Sequence, residues 1–140
     1  MHIVATPIGN LGDITLRALE TLKTVDIVLC EDTRVTLNLL NHFDIKTKVL
    51  SYHVHSGAEK IKQIAELLKS GNNLALVTDA GTPGICDPGG LLIDRLLIDI
   101  PGLAIIPIPG ATAMASALSI CGFNTDKFLF LGFPPHKKGR

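Results

Sequence analysis

The stretch Asp79-Ala80-Gly81-Thr82-Pro83-Gly84-Ile85-Cys86-Asp87-Pro88-Gly89-Gly90 decides the fold class of this chain. The apolar run Leu74-Ala75-Leu76-Val77 before it predicts a buried strand, and the leucine-rich segment after it predicts a helix. A strand-to-helix connection usually has about 2–6 residues, so this loop is unusually long. Its Gly, Pro and Asp residues leave the backbone open, which predicts contact with a ligand that has several polar edges, such as a nucleoside.

Strands and helices alternate along the rest of the chain. The predicted strands are residues 2–5, 26–30, 48–52, 74–78, 103–108 and 127–133. Asp13 is predicted to cap the first helix, with Leu16, Leu19 and Leu22 on its inward face, and Ser56 is predicted to cap the third. The pattern predicts an α/β domain with a mostly parallel sheet of five or six strands and helices on both faces. Its ligand face should lie at the carboxyl ends of the strands.

Composition excludes several classes of protein. The 140 residues are 46% hydrophobic and carry 13 basic and 13 acidic side chains, so a folded domain without a global attraction to nucleic acid is expected. The three cysteines are far apart, which predicts reduced thiols in a cytoplasmic protein and no zinc site. No basic segment follows Met1, and charged residues interrupt the apolar stretch 91–109. Neither a signal peptide nor a membrane span is therefore expected.

Several catalytic and nucleotide-binding motifs are missing from the sequence. It has no G-x-G-x-x-G after a strand, no G-x-x-x-x-G-K-S/T, no H-E-x-x-H and no G-x-S-x-G. A dinucleotide site of the usual kind, a P-loop, a zinc protease and a serine hydrolase are therefore not predicted.

Two further segments are open to a functional or a purely structural interpretation. Residues 6–13 place Gly9 and Gly12 before a helix, which suits either a polar ligand or an ordinary turn. The turn Glu31-Asp32-Thr33-Arg34 suits acid–base work or substrate positioning, or a helix start with Arg34 paired to one carboxylate.

Four motifs together point to a family. They are V-A-T-P-I-G-N-L-G-D-I-T at 4–15, C-E-D-T-R at 30–34, the 79–90 loop and I-P-G-A-T-A at 108–113. In this order they closely resemble the tetrapyrrole-methylase-like, class III S-adenosylmethionine (SAM)-dependent methyltransferases, in the branch that modifies ribosomal RNA. The resemblance covers the whole chain. It implies methyl transfer from SAM to the ribose 2′-hydroxyl of a cytidine in 16S rRNA, by a homodimer of two-domain subunits that hold SAM between the domains.

The resemblance also implies roles for individual residues. Those expected to contact SAM are Asp79, Ala80, Gly81, Thr82 and Ile85 in the loop, Pro7 and Ile8 after the first strand, and Ala111 and Thr112 before the last helix. A ribose hydroxyl is a poor nucleophile until its proton is removed or shared. Glu31 or Asp32 is the candidate base or sugar-orienting group, and Arg34 is the candidate phosphate ligand.

Two departures from the family pattern qualify these expectations. Cys86 stands where the family usually has Ser, and a thiol is the weaker hydrogen-bond donor. Residues 1–133 correspond to an amino-terminal SAM-cleft domain, and 134–140 to the start of a linker. The chain alone is therefore expected to fold, to bind SAM weakly and to be inactive. Two alternatives are a class III methylase of a small molecule such as a corrin precursor, and a non-catalytic nucleotide-binding or dimerisation module.

Overall fold

Five short parallel strands form the centre of the structure, a computed structural model that describes residues 1–53 and 55–134. The strands are β1 (His2–Val4), β2 (Ile27–Cys30), β3 (Lys48–Ser51), β4 (Leu74–Leu76) and β5 (Ile106–Ile108). The helices are α1 (Leu16–Thr24), α2 (Thr33–His42), α3 (Ala58–Lys69), α4 (Gly89–Asp99) and α5 (Ala113–Ile120), with a 3₁₀ turn at Leu11–Asp13. The predicted α/β class and parallel sheet are confirmed.

Helices cover both faces of this sheet. Because successive residues of a strand point to opposite faces, each inner strand contributes to two cores. Along β2, Ile27 and Leu29 join a core with α3 and α4, whereas Val28 and Cys30 join a core with α1 and α2. The inner strands are apolar on both faces, as buried parallel strands require.

The order of the strands determines which loops become neighbours. The sheet runs β3-β2-β4-β1-β5, so β1 lies between β4 and β5. The loops that follow these three strands are the ones richest in Gly and Pro. Because the strands are parallel, all three loops leave the sheet at the same edge.

The predicted sixth strand at residues 127–133 is wrong. The structure has no strand there, and Phe128, Leu129 and Leu131 are exposed. Gly132 has a φ of +81°, a left-handed conformation that an extended strand does not adopt. The segment instead passes beside the 79–90 loop, where an added Cβ at Gly132 would lie 3.3 Å from Cys86 Sγ.

The first helix begins two residues later than the sequence predicts. Thr15 caps α1 by accepting a 3.1 Å hydrogen bond from the Ala18 N–H, whereas Asp13 ends the 3₁₀ turn. With this start the buried face carries Ala18 and Leu22, and Leu16 is 86% exposed. The predicted inward position of Leu16 is therefore wrong.

The predicted cap of the third helix is also wrong. Gly57 occupies the N-cap position of α3 without a side-chain hydrogen bond, and Ser56 Oγ instead accepts from the His53 N–H at 2.9 Å. None of the helices in the described residues has both the length and the apolar composition that a bilayer crossing needs.

Candidate functional site at the carboxyl edge of the sheet

An isolated antiparallel bridge joins the loops that follow β1 and β4. The Thr6 N–H donates to the Gly81 carbonyl at 2.9 Å, and the Gly81 N–H donates to the Thr6 carbonyl at 3.1 Å. The Thr6 hydroxyl also donates to the Thr78 carbonyl at 3.1 Å. In each loop, the residues nearer the strand line one cavity, and the next residues along the chain line another. The bridge therefore stands between two neighbouring cavities.

The first of these, which we call the glycine-loop cavity, has a volume of about 290 Å³. It is lined by Ile8, Ala80, Gly81, Thr82, Ile85, Thr112, Ala113, Met114, Phe130 and Phe133. Three separate loops and the segment 130–133 thus meet here, and six of the residues predicted to contact SAM lie together on its wall. Gly81 keeps this wall open, since it has a φ of +87° and an added Cβ would lie 3.5 Å from Ile8 Cγ2.

The amino end of α5 opens onto the same cavity. Thr112 occupies the N-cap position, and its side chain makes no capping hydrogen bond in the described part of the chain. The first N–H groups of a helix have no partner within the helix and favour negative groups. Because Thr112, Ala113 and Met114 line the cavity, these donors lie where an anionic part of a ligand can reach them.

Four wall residues were not expected from the sequence: Ala113, Met114, Phe130 and Phe133. Phe130 and Phe133 were assigned to a strand, in which residues three apart face opposite sides. Gly132 and Pro134 were the available signal against that strand, since both disfavour an extended, paired backbone.

The second cavity, which we call the α2 cavity, has a volume of about 240 Å³. It is lined by Thr6, Pro7, Leu11, Val35, Thr36, Asn38, Leu39, Thr78 and Asp79. Pro7 and Asp79, predicted to contact SAM, therefore line this neighbouring cavity. Ala111 lines neither cavity, and its carbonyl accepts a 3.4 Å hydrogen bond from the Thr82 hydroxyl.

The acidic turn is organised by an ion pair. Asp32 caps α2 by accepting from the Arg34 N–H at 2.8 Å, and it also accepts from Arg34 Nε at 3.1 Å and Nη2 at 2.6 Å. These bonds, led by the one from the Arg34 side chain, lower the pKa of Asp32 to about 2. This geometry matches the structural interpretation of the turn 31–34, in which a helix starts and Arg34 pairs with one of the carboxylates. A carboxylate with such a low pKa is a weak general base.

The predicted catalytic residues lie beside the cavities rather than on their walls. The Asp32 N–H donates to Asp79 Oδ1 at 3.3 Å, which ties the acidic turn to the α2 cavity. Glu31 lines a crevice of only about 10 Å³ together with Tyr52 and Asp87. The structure therefore brings Asp32 and Arg34 to the rim of the α2 cavity and sets Glu31 apart.

Asp87 holds the 79–90 loop in shape. Its Oδ1 accepts from the Gly84 N–H at 2.8 Å and from the Gly89 N–H at 2.7 Å. Cys86 has a φ of +59° and does not line the glycine-loop cavity. Among the residues that the structure describes, no group of three or more His, Cys, Asp or Glu side chains is placed to hold a metal ion.

Comparison with known proteins agrees with this architecture. The family Tetrapyrrole (Corrin/Porphyrin) Methylases matches residues 1–132, so the chain belongs to this family. A solved uroporphyrin-III-C-methyltransferase from Thermus thermophilus has the same fold. It matches with a TM-score of 0.63 at 24% identity, over 88% of this chain and 52% of that one.

Curated relatives give a narrower comparison. The Ribosomal RNA small subunit methyltransferase I of Synechocystis is 51% identical over 133 residues, which are 95% of this chain and 47% of the relative. The protein of the same name from Halalkalibacterium halodurans is 49% identical over 138 residues, 99% of this chain and 47% of the relative. The chain thus spans about half the length of the curated relatives it matches.

Proposed function

We propose that this chain is the SAM-binding half of a methyltransferase that modifies RNA of the small ribosomal subunit. The proposal rests on one observation: three Gly- and Pro-rich loops line the glycine-loop cavity. The chain that forms this cavity has 49–51% sequence identity, over the matched residues, to two relatives named for that activity. The names of these relatives disfavour the small-molecule alternative.

The chemistry of the glycine-loop cavity fits SAM, which has a carboxylate, polar ribose edges and an apolar base and chain. The uncapped N–H groups at the start of α5 suit the carboxylate. The open backbone of Gly81 and the hydroxyl of Thr82 suit polar edges, and Ile85, Met114 and Phe133 supply apolar surface. Bound SAM would supply an electrophilic methyl group.

We further propose the ribose 2′-hydroxyl of a cytidine in 16S rRNA as the acceptor. In-line approach of that hydroxyl makes positioning the main task of the protein. Arg34 suits the RNA backbone because its side chain is 87% exposed and Asp32 engages only its Nε and Nη2 groups, which leaves other N–H donors free for a phosphate. Asp32 then acts as a positioning residue that holds Arg34. Glu31, the other predicted base, lines the separate crevice beside Tyr52 and Asp87, so an acceptor would have to approach it from outside the two cavities.

The domain organisation is also a proposal. We take residues 1–133 as an amino-terminal domain and 134–140 as the start of a linker, of which 135–140 lie outside the described residues. Large apolar side chains near the end of the domain are exposed, among them Ile120, Phe123, Leu129 and Leu131. Several large exposed apolar side chains within one segment of a chain suit an interface. A second domain, which the length of the relatives suggests, and a homodimer in the cytoplasm are the expected context.

Binding of SAM to the 140-residue chain tests the cofactor site. Isothermal titration should detect a Kd weaker than micromolar, because one wall of the cleft is expected from the second domain. Ala113→Phe fills the cavity and should abolish binding. Ala117→Phe, one turn along the same exposed helix and outside the lining, should leave it unchanged. Equal binding by the two variants, or no binding to the parent chain, would contradict the site. Micromolar binding would contradict the need for a second wall.

The acceptor is tested with the full-length protein, small ribosomal subunits and SAM carrying a tritiated methyl group. We expect label in 16S rRNA that survives alkaline hydrolysis in a dinucleotide, since a 2′-O-methyl group removes the hydroxyl needed for cleavage. Label released in mononucleotides would mean base methylation. Label only in an added tetrapyrrole would favour the small-molecule alternative.

A further inference from the structure

We propose that the α2 cavity is a nucleobase pocket, which takes the base of the target nucleotide after it has left the RNA stack. The inference rests on the proposed function, because it places the methyl acceptor next to the glycine-loop cavity. None of the wall residues contributed by α2 was expected from the sequence to contact a ligand.

The α2 cavity lies directly beside the glycine-loop cavity. Thr6 and Gly81 form the bridge between the two cavities with hydrogen bonds of 2.9 and 3.1 Å. On one side the same two loops contribute Pro7 and Asp79, and on the other they contribute Ile8 and Ala80. A ligand in each cavity would therefore rest against opposite sides of one short ribbon. Transfer of a group between two ligands needs that proximity.

The size and the lining of the α2 cavity suit a single base. At about 240 Å³ the α2 cavity has less room than the glycine-loop cavity, which we assign to SAM. A single base suits it better than a macrocycle does. Leu11, Val35 and Leu39 offer apolar surface for the faces of a flat ring. Enzymes that act on extruded nucleotides hold the base by such stacking and by hydrogen bonds to its Watson–Crick edge.

Two polar side chains on the wall of the α2 cavity suit the edge of a base. Asn38 is exposed on α2, and its amide makes no hydrogen bond within the described residues. An amide both donates and accepts, which matches the adjacent donor and acceptor on the edge of a base. Asp79 can only accept when ionised, and within the described part of the chain its carboxylate accepts a single hydrogen bond, from the Asp32 N–H at 3.3 Å. The remaining acceptor positions favour a base with an exocyclic amino group.

A positive charge lies at the rim of the α2 cavity. Arg34 lies two residues from Asp32, which contacts Asp79, so a cation stands beside the cavity that we assign to the base. A nucleotide brings its phosphate and its base together, and this arrangement offers a partner to each.

The experiment is a pair of titrations of the ¹⁵N-labelled 140-residue chain, followed by NMR. S-adenosylhomocysteine should shift the amide signals of Gly81 and Thr82, and cytidine 5′-monophosphate should shift those of Asn38 and Leu39. Asn38→Ala should weaken binding of the nucleotide about tenfold, as expected for a bidentate contact to a base edge, and leave binding of S-adenosylhomocysteine unchanged. Asn41→Ala, on the same helix but outside the cavity lining, should change neither. Uridine 5′-monophosphate should bind more weakly than the cytidine nucleotide.

The outcomes separate the two proposals. If S-adenosylhomocysteine binds but the cytidine nucleotide shifts no signal around α2, the nucleobase pocket is refuted and the proposed function stands. Equal effects of Asn38→Ala and Asn41→Ala on binding of the cytidine nucleotide would refute recognition of the base edge by Asn38. Equal affinity for the cytidine and uridine nucleotides would refute it as well. If the nucleotide binds at α2 but S-adenosylhomocysteine does not bind, the proposed cofactor site fails instead.

Discussion

The Gly89→Ala substitution tests whether the 79–90 loop is held by close packing at its junction with α4. Gly89 is buried at the first position of that helix. An added Cβ would lie 2.8 Å from Asp87 Oδ1, 2.9 Å from Leu76 Cδ2 and 3.1 Å from the Gly84 nitrogen. Neither side-chain neighbour moves freely, since Asp87 Oδ1 accepts two backbone hydrogen bonds and Leu76 is in the core.

The expected cost follows from these distances. Overpacking of this kind costs about 1–3 kcal/mol. If the loop yields instead, the clash is relieved, but loss of a hydrogen bond to a charged group costs about 1.5–3 kcal/mol. The higher helix propensity of Ala offsets at most about 1 kcal/mol of this cost, and less at the first residue of a helix. We expect a net loss of about 1–3 kcal/mol. For a chain of this length that lowers the Tm by about 3–12 °C.

Gly90→Ala is the matched control. Its added Cβ would meet only the Gly84 carbonyl oxygen at 3.6 Å, an ordinary contact. The variant should be neutral or gain up to about 1 kcal/mol from helix propensity. Thermal unfolding followed by circular dichroism and urea denaturation at fixed pH measure both variants. If Gly89→Ala is as stable as Gly90→Ala, the close packing at this junction is not what holds the loop.

The ion pair and the thiols give two further predictions. The pKa of Asp32, measured by NMR titration of its side-chain carboxyl carbon, should be about 2 and should rise towards 3.8 in Arg34→Gln. Because folding lowers the pKa of Asp32, the wild-type chain should be more stable than Arg34→Gln above about pH 4, and this difference in the free energy of unfolding should disappear as the pH falls towards 2. A difference that does not change with pH would contradict the pairing. Iodoacetamide should modify exposed Cys86 in the native chain but reach buried Cys30 only on unfolding, because burial raises the pKa of the Cys30 thiol. Mass spectrometry of the peptides measures both sites, and early labelling of Cys30 would mean that the core of β2 opens.

The fold could be predicted because its signals are local. Apolar runs such as 74–77 and the punctuation by Gly and Pro mark the strands and loops without knowledge of their partners. The predictions were wrong for segments whose conformation depends on a hydrogen-bond partner. Leu16 fits an apolar stripe, but the Thr15 cap sets the start of α1 and turns that side chain to solvent. Residues 127–133 have strand-like composition and no strand beside them with which to pair.

Part of the candidate site could be predicted for the same reason. Gly81, Thr82 and Ile85 belong to one loop with a recognisable composition, and they line the cavity that the loop was expected to form. Asn38 lies on a helix far from that loop in the sequence. Its exposed amide has no distinguishing local pattern, so only the packing of α2 beside Thr6 and Asp79 brings it to a cavity.

The sequence by itself determined the class of sheet, the loops that open at its edge and the family, since each depends on residues close together in the chain. The tertiary structure alone decided that one bridge between Thr6 and Gly81 separates two cavities, and that Asp79 belongs to one and Ala80 to the other. The physical reason is that a cavity is bounded by elements distant in sequence. Its walls are set by the order of the strands and by hydrogen bonds between loops, which no local pattern encodes.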